Sequence, residues 1–77
     1  MQMNEQIRLT PKAIRINMGY SQSQMASEIN KYVPMDERKY KERENKISKW
    51  TGLEIIAFAK VANISDIRII KLDFEYP

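Results

Sequence analysis

The chain has no cysteine and no histidine. Without cysteine there is no disulfide framework and no thiolate metal site, so a reducing cytoplasm is the expected compartment. Without histidine the commonest metal ligand and the commonest acid–base group are both missing. Glycine occurs only twice, with no phosphate-cradling loop around it. An enzyme is therefore not expected, and no metal or other cofactor is implied. Long apolar runs are missing too. The longest, residues 53–64, is interrupted by Glu54 and Lys60 and is too short to span a bilayer. The N-terminus lacks a basic segment followed by an apolar stretch, so neither a secretory signal nor a membrane partner is expected.

What is present is 77 residues, the length of one domain near the lower limit for a single core. Net charge is +3, a mild preference for an anionic partner. The charge is uneven. Residues 1–49 carry ten Lys/Arg against six Asp/Glu, and residues 50–77 carry three against four. The basic excess marks a half suited to nucleic acid and leaves the other half for core or partner contacts.

Along the chain, residues 3–9 alternate loosely and fit a short edge strand or an arm. Thr10-Pro11 is a helix start, because Thr caps and Pro suits the first helical position. That helix stops at Gly19, with Ile14 and Met18 facing inward. Ser21 and Gln24 have capping-box spacing and open a second helix, with Met25, Ala26 and Ile29 as its buried stripe. Residues 30–35 break it, since Pro34 disfavours helical geometry at Val33.

Residues 36–45, DERKYKEREN, then read as a helix with almost no apolar surface. Asp36 caps it, and Tyr40 is its only large ring. A helix in a small domain normally shows an apolar stripe to the core. This one is a solvated helix or meets a polar partner. Residues 46–50 read as a loop, with Trp50 expected to cover the core. Thr51 and Glu54 open a further helix, LEIIAFAKVA, apolar nearly all round, which Asn63 can end in left-handed geometry. Ile70, Leu72, Phe74 and Tyr76 alternate with charges and predict a half-buried strand over about 68–76, although Ser65-Asp66 can open a short helical turn instead.

Three short helices, the third studded with polar side chains, suggest a helix-turn-helix. Arg15 and residues 19–26 (GYSQSQMA) resemble the Cro/phage-repressor (Xre-type) DNA-binding family, as do residues 40–45 (YKEREN) and residues 53–64 with Ser65. The tail is similar to the Cro branch. Two departures are visible: residues 30–34 make the turn longer than is usual in that family, and Lys46 stands where a glycine usually follows Glu-Asn. The resemblance implies a mainly α domain over residues 1–77, with four or five helices in a core at 10–66. The C-terminal strand would pair with residues 3–9 and across a homodimer, whose contact would use Ile70, Leu72, Phe74 and Tyr76; a strand covering the core of a monomer is the plain alternative.

The resemblance also implies that Arg15 and Glu44 pair to lock the first helix to the third; two unrelated surface charges are the plain alternative. The family uses the residue matching Gln22 for DNA backbone contact. Ser21 sits beside it at a helix N-terminus, where free amides attract phosphate, and is a cap in either case. Lys39, Lys46, Ser48 and Lys49 are the further phosphate candidates. Base reading would fall to Glu37, Arg38, Lys41 and Glu42. Arginine pairs with guanine O6/N7 and glutamate accepts from cytosine N4. Because carboxylates repel phosphate, Glu37 and Glu42 suit discrimination, or else simple solubility. The expected function is that of a phage or prokaryotic transcriptional repressor binding double-stranded DNA at a palindromic operator. The alternatives are the antitoxin of a toxin–antitoxin pair, whose partner is a toxin, and a protein-interaction adaptor or anti-repressor on the same scaffold.

Overall fold

The computed structural model describes residues 8–72. It contains four α-helices in chain order: α1 Pro11–Met18, α2 Gln22–Ile29, α3 Glu37–Asn45 and α4 Gly52–Ala62. Each start is set by a side chain that accepts from a free amide two or three residues into the helix. Thr10 accepts from Ala13, and Asp36 accepts from Lys39. Full capping boxes open α2 (Ser21 with Gln24) and α4 (Thr51 with Glu54). Gly19, with φ 77°, closes α1 in the left-handed region, and Asn63, with φ 59°, closes α4 in the same way.

The lengthened link after α2 is ordered. Amides of Tyr32 and Val33 both donate back to the Ile29 carbonyl, adding an irregular turn to the helix end. Asn30 Oδ1 then accepts from the Met35 amide at 2.9 Å and brings the chain back inward. Met35 is buried and Asp36 follows it as the cap of α3.

The core joins Ile14, Met25, Ala26, Ile29, Met35, Tyr40, Trp50, Ala57, Phe58, Ala59 and Ile70. Trp50 stands between two rings in edge-to-face contact, with centroids 6.1 Å from Tyr40 and 5.4 Å from Phe58. It covers the core, as its sequence position predicts. The segment before it is not a plain loop, because Ile47–Lys49 forms a 3-10 turn that packs Ile47 inward.

α4, apolar nearly all round, is expected at the centre of the core or between the core and a partner, and it is not at the centre: Ala57, Phe58 and Ala59 face the core while Leu53 is 70% exposed and Ile56 47%. A second helix layer over that face would be needed to cover them, and among the described residues none lies there. The C-terminal strand expected over about 68–76 is not shown among the described residues, which end at residue 72. Ile67–Ile69 is a 3-10 turn, started by Asp66, whose carboxylate accepts from the Arg68 amide and pairs with its guanidinium. That local side-chain bond competes with an extended ladder. What remains is a single parallel bridge, Leu9 with Ile70. The Leu9 amide donates to the Ile69 carbonyl at 2.9 Å, and the Lys71 amide donates to Leu9 at 2.7 Å. The expected strand positions 3–7 and 73–76 lie outside the described residues.

Candidate nucleic-acid interface

Helix α3 buries one side chain fully, Tyr40. One ring is too little apolar area to dock a nine-residue helix, so polar ties must hold it. Two do, from neighbouring residues of opposite sign.

Glu44 points to α1 and α2. Arg15 Nε donates to Glu44 Oε2 at 2.6 Å and Nη2 donates to Oε1 at 3.3 Å, a two-point guanidinium–carboxylate pair. Gln22 Nε2 donates to the same Oε1 at 2.9 Å. Arg15 Nη1 donates to the Tyr20 carbonyl, tying the pair to the turn between α1 and α2. Burial alone would push the Glu44 carboxyl up, but the hydrogen bonds led by Arg15 outweigh it and hold the carboxyl below its usual value. The Tyr40 hydroxyl beside them is buried without a well-formed hydrogen bond, and burial first, then the Glu44 charge, pushes its ionisation far above the usual phenol value. The expected pairing of Arg15 with Glu44 is therefore present.

Arg43 points the other way, to α4. Its Nε donates to Glu54 Oε1 at 2.7 Å and Nη2 to Oε2 at 3.2 Å. The two side chains are 11% and 7% exposed. For Glu54, too, burial raises the carboxyl and the Arg43 hydrogen bonds more than reverse it. Sequence reading missed this tie. The available signal was position: Arg43 lies three residues after Tyr40, on the inner side of the same helix, and Glu54 sits at the capping-box position of α4.

The outer side of α3 carries the four base-reading candidates, all exposed. They are not equivalent. Glu37 and Lys41 pair with each other one turn apart at 3.4 Å. Glu42 accepts from Arg43 Nη1 at 3.2 Å. Arg38 has no hydrogen bond or ion pair within the described residues and stands between two shallow surface depressions, one bordered by Lys39 and Glu42, the other by Glu37 and Lys41.

The phosphate candidates divide likewise. Lys46, Ser48 and Lys49 are exposed around the 3-10 turn that follows α3. Lys39 Nζ donates to the Pro34 carbonyl at 3.3 Å and lies 4.0 Å from Glu54, so it is partly committed within the fold. Ser21 caps α2, and Gln22 spends one amide hydrogen on Glu44. Of the expected dimer residues, Ile70 is a core residue of its own chain, Leu72 packs half-buried against that core, and Phe74 and Tyr76 lie outside the described residues. Among the described residues no group of acids is arranged to hold a metal ion, and no helix is long and apolar enough to cross a membrane. No family model matches the chain, and neither a curated protein nor a solved structure matches it.

Proposed function

We propose that this protein is a sequence-specific double-stranded DNA-binding regulator of helix-turn-helix type, in which α3 lies in the major groove. One observation carries the reading. A nearly non-apolar helix is held rigidly by two shielded ion pairs while its outer side offers an unpaired arginine among oriented acids. A merely solvated helix has no need of such rigid support, whereas a reading head has. Arg38 is the guanine-directed side chain, since its planar fork matches O6 and N7. The acids disfavour indiscriminate phosphate binding and select among base edges. Lys46, Ser48 and Lys49 flank the helix as phosphate contacts that set its register. A homodimer on a palindromic operator supplies two α3 helices about one DNA turn apart. Occupation of a promoter is then sufficient for repression, without enzymatic activity or a cofactor.

The protein-binding alternative draws on a different observation, the exposed Leu53 and Ile56 on α4. The two readings separate in one titration. Fluorescence anisotropy of a labelled duplex across a salt series should show log affinity falling linearly with log salt, by about 0.9 for each phosphate contacted. Lys46→Ala and Lys49→Ala should each lower that slope by about one. Absence of binding at low salt contradicts the DNA reading and favours a protein partner.

A further inference from the structure

Arg43 serves two carboxylates at once. Two of its nitrogens grip Glu54 inside the fold, at 2.7 and 3.2 Å, while its third, Nη1, reaches out to Glu42 at 3.2 Å. Glu54 is itself fixed, because its Oε1 also accepts from the Thr51 amide at 3.1 Å and so completes the capping box of α4. A continuous polar chain therefore runs from the first turn of α4, through Arg43, to the carboxylate of an exposed acid on α3.

The consequence is conformational. A surface glutamate loses substantial rotamer freedom when it is held in one place. Glu42, half-exposed, would otherwise sample several positions. Its chemistry at a base edge depends on where its oxygens lie: held at the groove floor it accepts from cytosine N4, and swung outward it repels phosphate. The planar guanidinium suits this task. It satisfies one carboxylate with two parallel bonds and still has a donor for another, which a lysine ammonium cannot do with fixed geometry.

We propose that Arg43, anchored on Glu54, is the positioning residue for Glu42, so that base preference opposite Glu42 is set from α4. The inference rests on the DNA-binding reading of α3 and deepens it. A purely structural staple between α3 and α4 would look similar in a stability measurement but not in a specificity measurement.

The experiment is selection of bound sites from random duplexes, scored base pair by base pair. Wild type, Glu42→Gln, Arg43→Lys, Glu54→Gln and a stability control, Ile29→Val, are run in parallel. Glu42→Gln should flatten one base pair per half-site by roughly 5- to 150-fold, the range for one good base contact. Because the same tie helps dock α3, Arg43→Lys and Glu54→Gln should lower affinity at every position somewhat but flatten the Glu42 pair several-fold more than the others, while Ile29→Val leaves the pattern intact. If the Arg43 and Glu54 variants weaken every position evenly, or spare the Glu42 pair, the positioning role is overturned and the DNA reading stands. The same holds if Glu42→Gln changes no position. If wild type enriches no sequence, both fall. Should Glu54→Gln fail to fold, Arg43→Lys keeps a cation beside Glu54 and carries the comparison alone.

Discussion

Replacing Glu44 with alanine removes one acceptor group from three donors: Arg15 Nε at 2.6 Å, Arg15 Nη2 at 3.3 Å and Gln22 Nε2 at 2.9 Å. Arg15 cannot escape by losing its proton, because guanidinium stays charged at any ordinary pH. It keeps only the Tyr20 carbonyl. Leaving a shielded charge unpaired costs about 3–5 kcal/mol. The total stability of a domain this size is about 4–12 kcal/mol, so the loss is a large fraction of it. At about 4–8 °C per kcal/mol, the melting temperature should fall by about 12–40 °C. The Glu28–Lys31 pair supplies the contrast. It too is within hydrogen-bonding distance, at 2.9 Å, but its side chains are 39% and 63% exposed, and such pairs contribute about 0–1 kcal/mol. Thermal and urea unfolding of Glu44→Ala and Glu28→Ala, followed by far-UV circular dichroism, make the comparison. A melting temperature for Glu44→Ala no lower than that for Glu28→Ala would refute the claim that this pair docks α3. Arg15→Met with Glu44→Leu should cost less than Glu44→Ala alone, since no charge is stranded.

Acid should destabilise the fold through both buried carboxylates. Hydrogen bonds led by Arg15 and Arg43 hold the Glu44 and Glu54 carboxyls below the ordinary glutamate value in the fold, against the opposing effect of burial, so the unfolded chain takes up protons first. Their contribution is complete above the ordinary carboxylate value and is lost as pH falls through the depressed values; a urea midpoint unchanged between neutral pH and about pH 3 would contradict this. The two glycines should respond oppositely to alanine. Gly19→Ala meets a positive φ and should cost about 1 kcal/mol or more, whereas Gly52→Ala, with open space around a new Cβ at the start of α4, should stabilise by about 0.4–1 kcal/mol, both read from urea midpoints. Trp50, the only tryptophan, is buried between Tyr40 and Phe58, so native emission should be blue-shifted and should move red on unfolding, together with the loss of helical signal. Native emission already at the position seen in denaturant would contradict its burial.

Most of the helical frame is legible in the sequence because capping is local chemistry. Thr10-Pro11, Ser21 with Gln24, Asp36, and Thr51 with Glu54 mark the four starts, and Gly19 and Asn63 mark two ends. Properties that depend on neighbours in space were harder to read. Composition made α4 appear apolar all round, but nothing among the described residues covers Leu53 and Ile56. Alternation over the tail suggests a strand; among the described residues the Asp66–Arg68 bond shapes a 3-10 turn at 67–69, and Ile70 then forms a single parallel bridge with Leu9. The candidate site was legible in part. Arg15 and Glu44 are legible through their paired place in a motif, whereas the same resemblance implies no pairing of Arg43 with Glu54, which shows only once α3 and α4 are packed together. The exposed charges of α3 were all named from sequence, but which are paired and which is free needed coordinates.

If the outer face of α3 reads DNA sequence, as proposed above, removal of Arg38 must erode base preference. Affinity is measured for wild type and Arg38→Ala on the duplex selected by wild type and on a scrambled duplex, at one fixed salt concentration. Wild type should prefer the selected duplex, and Arg38→Ala should lose roughly 5- to 150-fold of that preference while binding the scrambled duplex nearly as well as before. Equal affinity of wild type for both duplexes, or an Arg38→Ala variant with its preference intact, would contradict the proposal.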